Sequence, residues 1–528
     1  VLLGAKTGRD GIHGATFASA ELTEESEQMR PAVQIGDPFR EKLLIEAIHE
    51  ILANVKVVGI QDLGAGGLTG ATVEMAHRGS SGVEVFLDNV HLRETGMNAY
   101  ELMLSESQER MMLVVSPADA GRVLEIARKW GLDASVVGKV KNQPYVWVYH
   151  HHQKEAELPI ALLTSDAPVY HREWRMGSIY RKKKNPPDLP PLPDRPGEIF
   201  EGMLRHPDLA SKKPIFRQYD HMVQIQMVRY PGSDSACLRL PGENAFIALT
   251  TDGNGYYCYI DPYEGGKYAV AEAAQNIVSS GAKPVAITDC LNFGNPENPE
   301  VMWQFIRVVQ GIADASRYLN IPVISGNVSF YNESPSGSVY PTPVVGMMGI
   351  FPEGKLPIKP GFHFPGSKLY LVGNPDWDLT ASTYLTSLLG ITGGRLPKLN
   401  LKREKETLET VYTLIQKGMV LSAKDISEGG LFTAIIEELS FSTCGVRLKI
   451  PDFCRWDEWL FSETPGRFLL TCSEKNSPAL EDFLARESIW FYPTGTLIEE
   501  KKFVVEDCKV NFPFGELLEK WYQALTRA

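Results

Sequence analysis

Three short stretches of this 528-residue chain gather the residue types that hold magnesium and phosphate. They are Thr251-Asp252-Gly253-Asn254-Gly255, Thr288-Asp289-Cys290-Leu291-Asn292-Phe293-Gly294-Asn295-Pro296 and Ser325-Gly326-Asn327-Val328-Ser329-Phe330-Tyr331-Asn332. Carboxylates and amide carbonyls are the hard oxygen ligands that Mg²⁺ prefers, and glycine lets the backbone approach phosphate oxygens closely. Each stretch follows a β-forming run, so the spacing predicts three loops after three strands, gathered at one edge of a sheet. Asp-Gly and Asn-Gly also build ordinary turns, so no single stretch is specific by itself.

A second set lies earlier in the chain: Gln34-Ile-Gly-Asp37-Pro38, Gln61-Asp62 and Ser105-Glu106-Ser107-Gln108-Glu109-Arg110. From composition alone the last of these reads as a solvated turn before an apolar strand, Met111 to Val115. His150-His151-His152 is set aside as a metal site, because adjacent strand residues point to opposite faces. His13, in a glycine-rich loop, reads as a brace for that loop rather than a general base. The chain holds no GxxxxGK[ST], no clean GxGxxG and no GxSxG. None of its seven cysteines sits in a GxCxG turn, so no glutaminase nucleophile is recognisable.

The elements that must position these residues are mixed. Leu43 to Ala53 has apolar residues at helical spacing, Val55 to Ile60 reads as a strand, and Gly64 to Gly67 as the turn before another helix. Further on, Phe246 to Leu249, Pro284 to Thr288, Pro322 to Ile324 and Val344 to Ile350 read as strands. Tyr268 to Val278 and the stretch bearing Val301, Phe305, Val308 and Ile312 read as helices, and so does Phe514 to Leu525. The fold class is α/β (α+β).

An internal repeat organises the chain. Asp62, Gly66, Gly67, Leu68, Ala71 and Glu74 recur as Asp425, Gly429, Gly430, Leu431, Ala434 and Glu437, each 363 residues on. At an offset of 357, Ser105-Glu106 recurs as Ser462-Glu463 and Arg110 as Arg467. Residues 1–165 and 361–505 are therefore expected to be two copies of one domain, with a different domain at 201–360 and a helical tail at 506–528. Residues 166–200 read as a linker without helix or strand, since Asn185 to Gly197 contains six prolines. The chain opens in mid-strand at Val1 and reads as a piece of an alternating A-B-A-B protein whose first A domain lies outside it.

The net charge of −12 argues against non-specific binding to nucleic acid or to a membrane surface. The longest apolar stretch, Pro343 to Pro352, is half of the ~20 residues a membrane span needs. An odd number of cysteines without CxxC spacing predicts no disulfide framework or zinc site and points to a reducing, cytoplasmic home.

In sequence order, Thr7-Gly-Arg-Asp-Gly-Ile-His-Gly-Ala-Thr-Phe, Gln34-Ile-Gly-Asp-Pro-Phe, Gln61-Asp-Leu-Gly-Ala-Gly-Gly-Leu, Ser105-Glu-Ser-Gln-Glu-Arg-Met, Asp289-Cys-Leu-Asn-Phe-Gly-Asn-Pro and Gly326-Asn-Val-Ser-Phe-Tyr-Asn-Glu resemble the synthetase subunit of phosphoribosylformylglycinamidine synthases. The resemblance implies a duplicated architecture related to aminoimidazole ribonucleotide synthetase. It also implies ATP-dependent conversion of formylglycinamide ribonucleotide and ammonia to the amidine, through an iminophosphate. By matching motifs, Gln34, Glu106, Ser107, Gln108 and Ser329 would contact that substrate and Asp289 and Gly326 would contact ATP. Asp62 and Asn327 would hold Mg²⁺. The family's catalytic histidine lies in the first A domain, so no catalytic residue is expected in this chain. A separate glutaminase subunit and a small bridging subunit are the implied partners. A catalytically inactive structural paralogue, or another ATP-dependent member of the superfamily, would share the fold.

Overall fold

Amphipathic helices alternate with short strands from the first residues on, and in the computed structural model, which describes residues 1–12, 34–181 and 188–526, they form two units. One is Val1–His171 with Glu333–Gly337, the other Arg172–Asn332 with Ser338–Ala528. His13 and the basic run at 182–184 lie outside the described residues.

The first unit runs β1 (Leu2–Gly4), α1 (Pro38–Asn54), β2 (Val57–Asp62), α2 (Gly67–Arg78), β3 (Gly82–Phe86), α3 (Ala99–Leu104), β4 (Arg110–Val115), α4 (Pro117–Lys129), β5 (Asp133–Ser135), β6 (Gly138–Lys141), β7 (Tyr145–His150) and β8 (Gln153–Pro159). The strands form two four-stranded sheets, ordered β2-β4-β1-β5 and β6-β3-β7-β8. Helix α1 starts where it does because the Asp37 side chain accepts the Arg40 N–H at 3.0 Å and Pro38 occupies the first turn. It buries Leu44, Ala47 and Ile51, at helical spacing, against Leu113, Val123 and Ile126. Helix α2 starts at a left-handed glycine pair, and a Cβ on Gly67 would stand 2.0 Å from the Ser105 carbonyl oxygen. That close approach ties the start of α2 to the entry of β4.

In the second unit the connector carries two helices, contrary to the expectation of none: α5 (Ser178–Arg181) and α6 (Pro196–Arg205). Proline suits the first helical position, where its fixed φ is already helical and its absent N–H has no partner to lose. Phe200, Met203 and Leu204 then anchor α6 in the core. The next strands are β9 (Met227–Arg229), β10 (Ala236–Arg239) and β11 (Phe246–Asp252), followed by α7 (Pro262–Ser279), β12 (Lys283–Asn292), α8 (Pro299–Leu319), β13 (Val323–Ser329) and β14 (Thr342–Ile350). Their sheet is ordered β13-β12-β14-β11-β10-β9, with β12 and β13 parallel. Gly265-Gly266-Lys267 belongs to α7 and not to a phosphate loop. A Cβ on Gly266 would meet the Val308 carbonyl at 2.5 Å, so the glycines let α7 and α8 pack backbone to backbone.

The remaining elements are β15 (Lys368–Gly373), α9 (Leu401–Gln416), β16 (Ser422–Asp425), α10 (Gly430–Leu439), β17 (Gly445–Leu448), α11 (Trp456–Phe461), β18 (Arg467–Cys472), α12 (Ser477–Arg486), β19 (Phe491–Ile498), β20 (Lys502–Val505), β21 (Val510–Pro513) and α13 (Phe514–Gln523). They build one seven-stranded sheet, ordered β16-β18-β15-β19-β17-β20-β21. This is the strand order of the first unit with its two sheets fused, because the single strand β19 occupies the positions of both β5 and β6. The parallel pair β17–β20 matches the parallel pair β3–β7. Helix α7 is buried along nearly its whole length, in a core shared by Val345 and Met347 of one sheet and Tyr370, Val372 and Phe468 of the other. Among the described residues no helix is long and apolar enough to cross a membrane.

Candidate functional site

Residues 105–107 and 110 are buried, not solvated, and only Gln108 and Glu109 are half-buried: Ser105, Ser107 and Arg110 are each at most 2% exposed and Glu106 6%. The physical reason is Arg110, whose guanidinium donates to the carbonyls of Ser107 (2.7 Å) and Ser105 (2.6 Å) and to Thr7 Oγ1 (2.9 Å). Burial brings its pKa down to about 10, which still leaves it charged at neutral pH. Around this frame the Gly8 N–H donates to Ser107 Oγ at 2.9 Å and the Ser107 hydroxyl donates to Asp10. Asp10 is in turn held by Arg93 at 2.7 Å.

Glu106 has its two oxygens committed differently. Oε1 accepts the Gly66 N–H at 3.0 Å, at the start of α2, and Oε2 accepts Gln34 Nε2 at 2.8 Å. Gln108 Nε2 donates to the Glu106 carbonyl at 2.7 Å. Gln34, Glu106 and Gln108 are therefore brought together, whereas Ser107 turns towards Asp10. Asp62 stands exposed at the end of β2, in register with Met111, one residue past Arg110. Thr7, Asp10 and Arg93 support this site without having been singled out as site residues. Arg93 carries no local signal, since its partner Asp10 is 83 residues away.

The acid and amide clusters of the middle sheet begin inside strands, which take in Asp252, Asp289 to Asn292 and Ser325 to Ser329, and only their later residues, Gly253-Asn254, Phe293 to Pro296 and Phe330 to Asn332, follow the strands. Backbone pairing runs through to Asn292, opposite both Thr342 and Ser329, so the ladder claims the residues that composition assigned to loops. Asp252, Val345, Asp289 and Gly326 stand side by side across four neighbouring strands. Gly326 leaves room for the Asp289 carboxylate: a Cβ there would lie 2.5 Å from Asp289 Oδ1. Partial burial raises the pKa of Asp289 above the ordinary value. Strand alternation puts Asn327 and Ser329 on the opposite face from Asp289. There Asn327 Nδ2 lies 3.6 Å from Cys290 Sγ, and Ser329 Oγ donates to Asn332 Oδ1 at 3.3 Å. The structure thus joins Asp289 with Gly326 and sets Asn327 and Ser329 apart from them. Asp62 and Asn327 each offer a hard oxygen from an exposed strand position, which fits Mg²⁺.

The second copy repeats the frame and changes the chemistry. Arg467 donates to the Thr464 carbonyl at 2.9 Å, and Glu463 Oε1 accepts the Gly429 N–H at 2.6 Å, as Glu106 does from Gly66. Ser462 Oγ and Thr464 Oγ1 are 3.1 Å apart, against 3.2 Å for Ser105 and Ser107. Here, however, Tyr257 donates its hydroxyl to Glu463 Oε2 at 2.6 Å, and Pro465-Gly466 replaces Gln108-Glu109. Lys424 pairs with Asp425 at 2.7 Å, with Glu437 at 2.9 Å and with Asp234. Burial opposes its charge, but the three carboxylates outweigh burial and raise its pKa. Asp252 stands in the same row as Asp289, and burial, and then Glu428, drives its carboxyl well above the ordinary range.

The family model "AIR synthase related protein, C-terminal domain" matches residues 1–151 and 365–508, and "AIR synthase related protein, N-terminal domain" matches residues 232–351. Curated relatives are 42 to 47% identical to this chain, which spans 66 to 72% of their length. Among them, phosphoribosylformylglycinamidine synthase subunit PurL of Moorella thermoacetica is 47% identical over 489 residues, 92% of this chain and 66% of that one. Two solved structures of Thermotoga maritima PurL are also similar. One, complexed with FGAR, has a TM-score of 0.69 at 30% identity, covering 94% of this chain and 71% of that one. The other, complexed with ATP, has a TM-score of 0.66 at 29% identity, covering 94% and 70%.

Proposed function

This chain belongs to the PurL family of phosphoribosylformylglycinamidine synthases, and from that premise we propose that it serves an ATP-dependent C–N ligase of purine biosynthesis. The substrates are formylglycinamide ribonucleotide, ATP and ammonia; the products are the amidine, ADP and phosphate. Residues 1–165 and 361–505 are assigned to the two C-terminal-type domains, 201–360 to the ATP-binding N-terminal-type domain, 166–200 to the linker and 506–528 to the tail. A cytoplasmic location follows from the same reading.

The observation that carries the proposal is the Gln34–Glu106–Gln108 cluster, held over the buried Arg110 frame. Side-chain amides offer both donors and acceptors, which suits the amide and hydroxyl groups of a ribonucleotide. In the proposed reaction the amide oxygen of the substrate takes the γ-phosphoryl group, ADP leaves, and an amide proton is lost to give an iminophosphate. Ammonia then adds to that carbon, and phosphate departs with the former amide oxygen. Gln34, Glu106, Ser107, Gln108 and Ser329 position the ribonucleotide; Asp289 and Gly326 receive ATP. Asp62 and Asn327 would hold Mg²⁺, which when bound neutralises charge on phosphoryl oxygens. The chain's own task is orientation and exclusion of water from the reacting amide. A glutaminase subunit and a small bridging subunit would deliver the ammonia.

ADP release by the complete protein tests this, with ammonium and with or without the ribonucleotide. Release that depends on the ribonucleotide is expected. ATP turnover indifferent to it would refute the assignment.

A further inference from the structure

The three consecutive histidines do not follow strand alternation. Strand β7 ends at His150, which pairs with Gln153, and His151 and His152 form the two-residue turn between them. Both turn residues are left-handed, with φ of 50° and 60°. Such turns favour Asn-Gly, because a larger side chain at positive φ is strained. This chain places two imidazoles there instead.

The turn closes onto Asp88, in the short helical turn Leu87–Asn89. The His151 N–H donates to Asp88 Oδ1 at 3.0 Å. His151 Nδ1 is 3.5 Å from the same oxygen. The His150 ring, only 8% exposed, stacks on the His151 ring with centroids 3.8 Å apart. One ligand atom from each of Asp88, His150 and His151 lies within 4.8 Å of the other two. Two donors bound to one tetrahedral zinc ion at their usual bond lengths stand roughly 3.3 Å apart, close to the separation of His151 Nδ1 and Asp88 Oδ1.

We propose that Asp88, His150 and His151 form a site for a transition-metal dication of the Zn²⁺ type, bound by two imidazole nitrogens and one carboxylate oxygen. Imidazole donors select such ions over Mg²⁺, which prefers oxygen alone. The ion would pin the β7–β8 turn to Leu87–Asn89, independently of the ribonucleotide chemistry. His152 is outside the donor set.

The test is calorimetric titration of Zn²⁺ into the metal-free complete protein, with Mg²⁺ in excess, alongside its melting temperature. One equivalent should bind with micromolar affinity and raise the melting temperature. His150→Ala with His151→Ala should abolish that equivalent, Asp88→Asn should weaken it at least tenfold, and His152→Ala should leave it unchanged. Because Asp88 also caps the turn, Co²⁺ absorption provides a second readout: the visible bands of a histidine-ligated ion should vanish in the histidine double variant, whose circular dichroism stays native. Zn²⁺ binding weaker than millimolar, or an equivalent that survives the double variant, would leave an ordinary His–Asp ion pair and overturn the proposal.

Discussion

Lys424 donates to Asp425 at 2.7 Å, whereas the corresponding neighbour of Asp62 in the first copy is Gln61, whose amide reaches Glu74 at 3.2 Å. One copy therefore carries its own cation inside a carboxylate cluster, and the other leaves its strand-end aspartate exposed. The Gly-Gly-Leu turn that follows is the same in both, so the substitution of Lys for Gln changes the charge at the strand end and leaves the turn as it is.

Removing that cation should cost the fold rather than the chemistry. Lys424→Ala leaves Asp234, Asp425 and Glu437 facing one another in a buried site. Breaking a buried pair in this way costs about 3–5 kcal/mol. A large fall in the urea midpoint of the complete protein is expected, and an unchanged midpoint would show that the cluster relaxes by taking up protons or water.

The two copies should also separate in activity. Asp62→Asn and Gln108→Ala should each reduce turnover at least tenfold with little change in melting temperature. Asp425→Asn should mainly lower the melting temperature. Equal loss of turnover from all three at constant stability would mean that both copies take part in the reaction.

Asp289 and Gly326 give a paired prediction in the nucleotide half. Asp289→Ala should lower ATP-dependent turnover at least tenfold, about 1.4 kcal/mol of transition-state stabilisation. Gly326→Ala forces its Cβ against Asp289 Oδ1 and should raise KM for ATP in the same direction. If Gly326→Ala left KM unchanged while Asp289→Ala did not, the carboxylate would not act at the position it occupies beside Gly326.

Nitrogen supply is a further check. On the proposal of a separate glutaminase subunit, the synthetase polypeptide should work with ammonium and stay idle with glutamine alone; no cysteine of this chain lies in a GxCxG turn. Glutamine-driven turnover without a second protein would contradict the separate glutaminase.

The repeat was legible in the sequence because it keeps two fixed offsets, and the fold returns it as one strand order used twice. Helix α1 was legible from Leu44, Ala47 and Ile51. The burial of Ser105 to Ser107 and Arg110 was not, since the polar composition signals solvent and the partner Thr7 is 103 residues from Arg110. Composition places Asp289 and Asn327 in strand-end loops at one edge of a sheet, but the ladder continues through both on neighbouring strands, and alternation then separates their side chains. The histidine turn escaped for a related reason. No glycine or asparagine announces its left-handed residues, so the sequence pattern continues the strand through them.

Glu404 makes the last prediction, and its sign can be worked through. The side chain is 2% exposed; Gln275 Nε2 donates to Oε1 at 3.0 Å, and Oε2 has no hydrogen-bond partner among the described residues. Burial pushes its pKa from 4.5 up to about 8, with the Gln275 bond pulling the other way. Between those values the folded protein keeps a proton that the unfolded chain releases, so stability falls as pH rises through the interval. Below the lower value both states are protonated and no penalty remains. Each unit of the shift corresponds to about 1.4 kcal/mol, so the full loss from pH 5 to pH 9 is of the order of a few kcal/mol. Asp425, pushed to about 7 chiefly by burial, slopes the same way, so the comparison must be between proteins and not between pH values alone. Glu404→Gln preserves the shape and removes the titration. Its urea midpoint should decline less than that of the wild type between pH 5 and pH 9, with the two curves diverging as pH rises. Parallel curves would mean that Glu404 is ionised in the folded protein at neutral pH, with water or a cation satisfying Oε2.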